Sequence, residues 1–270
     1  MREITVAVVQ MWPKLHEVGD NLIRMTEFVE RICHEQQVDL IVFPELITTG
    51  YECGVRFTDL AERVPGQTVN LMAQQAAEFS THIVFGLALK EKVESIIYNA
   101  AIMVGPDGEM IGDYRKVHPR GEERLAFRPG FRYPVLEANF GTVGLVLGWD
   151  LAFPEVARSL ALEGAELLCV CANWERPHTE EWNAFCLARA FENSIFIAAA
   201  NRIGEEPSYT FFGQSKIVGP RGEMYSTMDE EIEGYALGRI DLDEVRRLRE
   251  EYQLFQLRQP TTYRAIVRKY

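Results

Sequence analysis

The feature of this sequence that most limits its possible folds is a repeat of short apolar segments. Four segments of the first half recur in the same order in the second half: Thr5-Val-Ala-Val-Val with Thr142-Val-Gly-Leu-Val, Asp39-Leu-Ile-Val-Phe with Glu166-Leu-Leu-Cys-Val, His82-Ile-Val-Phe with Ser194-Ile-Phe-Ile, and Val104-Gly-Pro-Asp-Gly with Val218-Gly-Pro-Arg-Gly. Runs rich in Val, Ile and Leu are typical of buried strands, and the Gly-Pro-x-Gly pair indicates turns between paired strands. Chance could explain one such match, but four in order predict two similar halves, each with its own β-sheet.

Longer segments with helical periodicity lie between the predicted strands. Within 19–37, for example, Leu22, Met25, Val29 and Ile32 recur at the spacing of one helix face. Further helices are predicted over 69–79, 154–163, 179–192 and 242–251. A sheet with helices on one face leaves its other face bare, and two such sheets bury their bare faces by packing together. We therefore predict an α/β fold, a four-layer α-β-β-α sandwich of two similar halves.

Composition defines the broad class of protein and argues against several partners. The 270 residues are 47% hydrophobic, enough for one large core, and we expect a single domain over 1–270. The formal net charge of −12, with no basic cluster to offset it, argues against nucleic acid and anionic membranes. The sequence contains no run of about 18 apolar residues and therefore predicts no membrane span. The five cysteines lack metal-ligand spacing, so we expect reduced thiols in a cytoplasmic protein, with no metal and no cofactor.

Polar residues follow several predicted strands at the edge where ligands bind in sheets of this kind. Glu45, Lys116 and Asn173 each come shortly after such a strand. A carboxyl group in a dry environment has a raised pKa, which suits a general base. Glu45 is therefore a candidate base, although a structural ion pair with a nearby Lys or Arg explains it equally well. Lys116 could stabilise an oxyanion, or it could be an exposed lysine in a basic stretch; only the two together suggest a site.

Several motifs, in order along almost the whole chain, resemble those of the nitrilase superfamily of carbon–nitrogen hydrolases. The motifs are Phe43-Pro-Glu-Leu46, Tyr114-Arg-Lys-Val-His118, Gly121-Glu-Glu123, Trp149-Asp-Leu-Ala-Phe-Pro-Glu155, Ala172-Asn-Trp174 and Phe212-Gly-Gln-Ser215. The motifs are more similar to those of the amidase and carbamoylase branches than to those of true nitrilases. The resemblance implies the α-β-β-α sandwich, action on a small amide or carbamoyl compound, and assembly as a homodimer or larger homo-oligomer.

The family uses a Glu–Lys–Cys triad with a second Glu, and this sequence matches three of those four positions. By resemblance, Glu45 is the general base, Lys116 the oxyanion-stabilising lysine, and Glu123 the second Glu that orients the site. The cysteine nucleophile should stand two residues before Asp150, and that position is Gly148. Because glycine cannot form the thioester intermediate, activity by that route should be lost or very low.

The vacant nucleophile position leaves three accounts open. The chain is a disabled amidase, a natural non-catalytic relative that binds a small molecule or a partner protein, or an enzyme in which Glu45 activates a water directly. Buried Glu45, Lys116 and Glu123 are costly to keep without use, which favours the first and third accounts. A relocated nucleophile at Cys171 is a further alternative, although small cysteines on buried strands usually fill the core.

Aromatic and amide side chains near the strand ends are candidates for the walls of the site. Tyr51, Trp149 and Trp174 could form apolar walls, although core packing explains each of them taken alone. Asn173 could donate a hydrogen bond to a substrate or simply cap a turn. By resemblance, the backbone N–H of Trp149, which follows the nucleophile position, helps to hold the oxyanion.

Three other polar residues near these motifs are interpreted as structural. His118 follows Lys116 closely, but no Ser or Cys pairs with it plausibly, so we interpret it as structural. Arg176 and Arg189 could meet a substrate carboxylate, although an ion pair on a helix surface is the safer interpretation for each.

Overall fold

The structure is a computed structural model that describes residues 2–93 and 96–268. Its strands are β1 (Glu3–Gln10), β2 (Leu40–Val42), β3 (His82–Lys90), β4 (Ile97–Val104), β5 (Met110–Arg115), β6 (Val135–Ala138), β7 (Gly141–Leu147), β8 (Leu167–Ala172), β9 (Phe196–Asn201), β10 (Ile203–Glu205), β11 (Thr210–Phe212), β12 (Lys216–Val218), β13 (Met224–Thr227) and β14 (Gly234–Asp241). Its α-helices are α1 (Val18–Glu35), α2 (Phe57–Leu60), α3 (Gln67–Phe79), α4 (Glu123–Ala126), α5 (Pro154–Leu162), α6 (Thr179–Asn193) and α7 (Asp243–Tyr252). Among the described residues, no helix has the length and apolar character needed to cross a membrane.

Two six-stranded sheets have matching strand orders. The first sheet has the order β14-β1-β2-β3-β4-β5, and the second has the order β6-β7-β8-β9-β12-β13. The central strands β1-β2-β3 and β7-β8-β9 run parallel, and the outer strands pair antiparallel. The segments that repeat in the sequence overlap strands at equivalent places in the two sheets, such as β1 with β7 and β3 with β9. The prediction of two similar β-rich halves is confirmed.

Side-chain alternation along the strands divides the interior into three apolar layers. On β1, Val6 and Val8 face the core between the two sheets, whereas Ala7 and Val9 face helices α1 and α3. The outer face of the second sheet packs in the same way against α5 and α6. Because the central strands are buried on both faces, they are unbroken hydrophobic runs in the sequence. The predicted α-β-β-α sandwich is confirmed.

The long elements were predicted better than the short ones. All five predicted helices occur, with ends shifted by two residues at most. The short strands β6, β10, β11 and β13 were missed. Strands β6 and β13 lie at sheet edges, and β10 and β11 form a separate ribbon. Each of these four strands includes a polar residue or a glycine, so it lacks the unbroken apolar run that marked the equally short β2, Leu40–Val42.

The parallel strands of both sheets direct their carboxyl ends toward one region. Strand β2 leads to Glu45, β7 leads to Gly148, and β8 leads to Asn173. Antiparallel β5 contributes Lys116 beside them. The fold thus gathers residues that are up to 128 positions apart in the chain.

Candidate active site

The Glu45 carboxylate lies at the centre of the candidate site. The chain leaves β2 through Pro44 and carries Glu45 into the interior, where the residue is 1% exposed. Its Oε1 accepts hydrogen bonds from Asn99 Nδ2 at 2.6 Å and from Lys116 Nζ at 2.7 Å. Its Oε2 accepts the backbone N–H of Asn173 at 3.0 Å. Because these donors belong to both halves of the molecule, the packing of the two sheets fixes the carboxylate.

The ammonium group of Lys116 lies between two carboxylates. Its Nζ is 2.7 Å from Glu45 Oε1 and 2.7 Å from Glu123 Oε1. Glu123 begins the short helix α4, and its Oε2 accepts the backbone N–H of Arg120 at 3.1 Å. The three charged side chains are at most 4% exposed. One buried ammonium therefore faces two carboxylates, and the cluster carries an excess of negative charge when all three groups are ionised.

This imbalance of charge sets the protonation of the site. Burial raises the pKa of Glu45 to about 7, although the Lys116 ammonium opposes the shift; Glu123 adds to it. Burial alone would lower the pKa of Lys116, but the two carboxylates outweigh it, and its pKa lies above the usual value. Lys116 therefore remains charged, while Glu45 is poised to gain or lose a proton near neutral pH.

Gly148 is buried in the turn that follows β7, directly beside Glu45. The turn is a 3-10 helix over Gly148–Ala152, and Gly148 has φ +39°, in a region that side-chain-bearing residues seldom adopt. A Cβ atom added at this position would overlap Glu45 Oε2. The carboxylate therefore occupies the space that a side chain at position 148 would need.

Asp150 ties this turn to the segment that carries Lys116. Its carboxylate is fully buried and accepts the Tyr114 hydroxyl and the backbone N–H groups of Val117, at 3.2 Å, and His118, at 2.9 Å. The His118 Nδ1 lies 2.7 Å from the same carboxylate, and its ring stacks on Phe153 with 3.7 Å between centroids. These contacts give His118 the structural role that was predicted, and they tie the segment after β5 to the turn after β7.

A small cavity lies among these groups. It is lined by the eight residues predicted for the site together with two that were not predicted: Glu45, Tyr51, Lys116, Arg120, Glu123, Gly148, Trp149, Asn173, Trp174 and Glu175. Its volume is about 10 Å³, close to the minimum that one water molecule requires. The structure thus brings every predicted site residue to one place, around a space of about one water.

The side-chain amide of Asn173 is the least satisfied polar group of the cavity. Asn173 is 5% exposed, and neither its Nδ2 nor its Oδ1 has a hydrogen-bond partner among the described residues. Only its backbone N–H is used, by Glu45. An unpaired buried amide costs on the order of 1–3 kcal/mol. A donor and an acceptor left free side by side suit a ligand that presents the complementary pair, such as a carboxamide.

The three predicted aromatic walls also belong to larger aromatic clusters. The Trp149 and Trp174 rings lie 5.5 Å apart, and Trp174 continues into the core through Trp182 at 5.6 Å. Tyr51 packs edge-on against Phe211 at 5.9 Å. Each of the three aromatic rings therefore lines the cavity and also packs against other aromatic side chains.

Three residues of the site were not predicted from the sequence. Asn99 lies within β4 rather than after a strand, so no strand-end signal marks it, yet its amide donates to Glu45. Arg120 and Glu175 form an ion pair with 3.0 Å between Nη1 and Oε1 at the mouth of the cavity. The one available signal was their position, close to the Lys116 and Asn173-Trp174 motifs.

Other candidates lie outside the cavity. Cys171 faces the core between the sheets, does not line the cavity, and burial raises the pKa of its thiol well above the usual value. This placement argues against Cys171 as a relocated nucleophile. Arg176 pairs with Glu231, and Arg189 donates to the carbonyl of Leu151 at 2.9 Å, so both have structural roles.

Comparison with known proteins identifies the family. The family model described as carbon–nitrogen hydrolase matches residues 5–250. A probable nitrilase from Schizosaccharomyces pombe is 43% identical over 266 residues, which cover 97% of this chain and 98% of that protein. The chain therefore belongs to the carbon–nitrogen hydrolase family, within the nitrilase superfamily.

Solved structures of similar proteins share the fold. A carbon–nitrogen hydrolase from Helicobacter pylori G27 superposes with a TM-score of 0.93 at 24% identity and covers 99% of each chain. A variant of the amidase from Nesterenkonia sp. AN1 carries the acetamide moiety of fluoroacetamide covalently added at its active-site cysteine. It superposes with a TM-score of 0.86 at 25% identity, covering 97% of this chain and 96% of that one.

Proposed function

We propose that this chain contains the amide site of an amidase-type carbon–nitrogen hydrolase whose nucleophile position, Gly148, is vacant. Its ligand is a small amide or carbamoyl compound. The observation that carries the proposal is the contact of Lys116 with both Glu45 and Glu123 beside Gly148 in one buried cavity. A base, a cation and a second acid in a sheltered place are the groups that amide hydrolysis requires around a nucleophile.

The thioester route assigns a role to each group. A thiolate attacks the amide carbon, the nitrogen leaves as ammonia or amine after protonation, and water hydrolyses the thioester. Glu45 would carry the protons, Lys116 and the N–H of Trp149 would stabilise the oxyanion, and Glu123 would hold Lys116. The adduct at the active-site cysteine of the similar Nesterenkonia amidase supports a cysteine in this role. Gly148 carries no thiol, so the thioester route is closed and overall turnover should fall by several orders of magnitude.

The space beside Gly148 favours a slow residual route through water. The cavity of about 10 Å³ suits a single water. With its pKa raised to about 7 by burial, Glu45 can accept a proton from that water at neutral pH. An amide enters only when the Glu45 carboxylate turns away from Gly148, so binding is weak and turnover slow.

Restoring the thiol tests this proposal. The Gly148→Cys variant should release ammonia from simple amides at rates well above the unchanged chain, and Glu45→Gln in the same background should abolish the gain. Ammonia release is measured across a panel of amides, ureas and nitriles, with circular dichroism to verify folding. A well-folded Gly148→Cys protein that is inactive on the whole panel would count against an amidase-type site.

The alternative is a non-catalytic protein that binds a small molecule or regulates a partner. The observation in its favour is that the Glu45 carboxylate fills the space before Gly148, leaving little room for chemistry. In that case Glu45→Gln and Lys116→Met should leave ligand binding unchanged. If either variant abolishes residual hydrolysis while ligand binding persists, the charged cluster takes part in chemistry and the binding-only alternative is excluded.

We further propose one domain over 1–270, a cytoplasmic location, and assembly as a homodimer or larger homo-oligomer. The exposed apolar side chains of Leu257, Ile266 and Val267 in the C-terminal segment support self-association. Light scattering coupled to size-exclusion chromatography measures the assembly, and a monomer at micromolar concentration would contradict it.

A further inference from the structure

The two oxygens of the Glu45 carboxylate have different surroundings. Oε1 accepts hydrogen bonds from Asn99 Nδ2 at 2.6 Å and from Lys116 Nζ at 2.7 Å. Among the described residues, Oε2 accepts one hydrogen bond, from the backbone N–H of Asn173 at 3.0 Å, and it is the oxygen nearest to a Cβ atom added at Gly148. Each oxygen of a carboxylate offers about two lone pairs. Both lone pairs of Oε1 are therefore used, whereas Oε2 has room for one more donor.

This difference decides which oxygen carries a proton. An O–H group on Oε1 would replace a lone pair that now accepts an ammonium or an amide N–H, and it would set donor against donor. A proton on Oε2 takes the remaining lone pair and displaces no donor. Because burial raises the pKa of Glu45 to about 7, this proton is exchanged near neutral pH. The two donors on Oε1 thus direct the proton to the oxygen nearer to residue 148.

Asn99 is a polar residue on an otherwise apolar strand face. It is 1% exposed, and Ala101 and Met103, on the same face of β4, lie in the core between the two sheets. Its Oδ1 has no hydrogen-bond partner among the described residues, and the one hydrogen bond of its side chain to them is the donation to Glu45. A buried amide with one half unpaired is costly to the fold. This cost favours a role of Asn99 at Glu45 rather than in the core.

The backbone of Asn99 also holds the lysine of the site. Its carbonyl oxygen accepts the backbone N–H of Lys116 at 2.9 Å, directly after the end of β5. One residue of β4 therefore contacts both members of the Glu45–Lys116 pair, the acid through its side chain and the lysine through its backbone. A substitution at Asn99 changes the first contact and leaves the donor and acceptor of the second in place.

We infer that Asn99 is a positioning residue of the amide site, which together with Lys116 occupies Oε1 of Glu45 and leaves proton transfer to Oε2, beside residue 148. The inference rests on the proposed function, because it concerns the base of that reaction. In the Gly148→Cys variant, the S–H bond of the thiol breaks and its proton forms an O–H bond at Oε2. The electron pair stays on sulfur for attack on the amide carbon. Asn99 does not line the cavity, so it acts through Glu45.

Removal of the donor tests this inference in the Gly148→Cys background. Asn99→Leu has a similar side-chain volume and lacks the N–H group. One lone pair of Oε1 then becomes free, so that the carboxylate can turn and take up its proton away from residue 148. We expect kcat for propionamide to fall about 10- to 100-fold, as for a misplaced general base, with KM nearly unchanged. Ammonia release measured between pH 5 and 9 gives both constants.

The pH profile distinguishes positioning from a purely structural role. Burial raises the pKa of Glu45, and the hydrogen bond from Asn99 opposes that shift because it stabilises the charged carboxylate. Loss of this bond raises the pKa further, so the acidic limb of the kcat/KM profile should move to higher pH in Asn99→Leu. A structural defect would reduce the stability and the amount of active protein without moving the limb.

Asn193→Leu in the same background is the matched control. Asn193 is also buried, its Nδ2 donates to the carbonyl of Arg189 at 2.9 Å, and its Oδ1 is unpaired among the described residues. This variant should lose stability while it keeps kcat and the acidic limb. Asn99→Ala, which removes the same donor without adding a branched apolar group, is measured beside Asn99→Leu and should show the same shift.

The possible failures are distinguishable. If the folded Asn99 variants keep the kcat or the acidic limb of Gly148→Cys, or if Asn193→Leu moves the limb equally, the inference is overturned and the amide site stands. If neither Asn99 variant folds, Asn99 belongs to the fold, and the inference is overturned in the same way. If Gly148→Cys itself hydrolyses no amide, the proposed function fails together with the inference.

Discussion

Two clusters of buried charge lie at the same end of the molecule, and they differ in how completely they are satisfied. In one, Arg202 donates to Glu206, and both side chains are at most 1% exposed. Glu206 also accepts the backbone N–H of Tyr51 at 3.0 Å, and Arg202 donates to the carbonyl of Ile203. One cation meets one anion, and the cluster joins the loop after β2 to the second half.

The cluster around Lys116 is arranged differently. Two carboxylates share one ammonium, a cavity of about 10 Å³ adjoins them, and Asn173 presents unpaired polar atoms to it. Burial raises the pKa of Glu45 to about 7. A structural ion pair tends toward balance, whereas a site retains excess charge, space and free hydrogen-bonding groups. Both clusters are buried, so burial does not distinguish them, whereas the balance of charge does.

Breaking the balanced pair should produce the largest loss of stability. Arg202→Leu leaves Glu206 buried without its cation, and we expect the free energy of unfolding to fall by about 3–5 kcal/mol. Urea denaturation followed by circular dichroism measures the change. A loss below about 1 kcal/mol would mean that the Arg202–Glu206 pair is not a structural element.

The unbalanced cluster should make stability depend on pH. Because the folded pKa of Glu45 is raised from 4.5 to about 7 by burial, the folded state binds this proton more tightly than the unfolded chain. The contribution is complete below about pH 4.5 and is lost as the pH rises to about 7, by at most ~1.4 kcal/mol per pH unit. Glu45→Gln should remove this slope in urea titrations between pH 5 and 8. Glu137→Gln, at an exposed residue of β6, is the control and should leave the slope unchanged. An unchanged slope in Glu45→Gln would refute the assignment.

A methyl group added beside the Glu45 carboxylate should have an intermediate effect on stability. Gly148→Ala introduces a Cβ that overlaps Glu45 Oε2 at φ +39°, and we expect a loss of about 1–3 kcal/mol. Gly121→Ala is the matched control, since its φ is +53° with nothing near the added Cβ. Gly148→Ala should lose more stability in thermal unfolding than Gly121→Ala. Equal losses would show that the carboxylate does not occupy this space.

The smallest effect is expected at Asn173, and its sign is the informative part. Asn173→Leu removes two unpaired buried polar atoms, so stability should rise by about 1 kcal/mol while amide binding is lost. Asn201, beside Arg202, accepts the N–H of Trp174 at 2.7 Å and donates to Gly213 O at 2.8 Å. Asn201→Leu should therefore destabilise the fold. Thermal melts of both variants, together with binding titrations of a simple amide, decide whether the free amide of Asn173 serves a ligand.

The sequence predicted the framework because the helices and the apolar central strands carry their own signals. Unbroken apolar runs such as Leu40–Val42 and helical faces such as that of α1 are determined locally, and the internal repeat revealed that there are two sheets. The predicted site residues converge because strand ends meet at one edge of each sheet. Local pattern and family resemblance were sufficient for these parts.

What the sequence did not reveal depends on contacts between distant segments. The amide of Asn99 donates to Glu45 across 54 positions from the middle of a strand, where an Asn carries no recognisable signal. The position of the Glu45 carboxylate in the space beside Gly148 depends on the packing of both halves. A groove of about 640 Å³ joins His118 of the Lys116 motif to Trp149 and Phe153, and its shape emerges only from their common surface.

The most direct test of the central claim is the intact mass of the Gly148→Cys variant after exposure to fluoroacetamide. If Glu45, Lys116 and Glu123 form an amide site facing position 148, one acetamide moiety should be added and peptide mapping should locate it at residue 148. The unchanged chain should remain unmodified, and Lys116→Met in the variant should slow the reaction sharply. A folded variant that stays unmodified, or that reacts only at its other cysteines, would contradict the account.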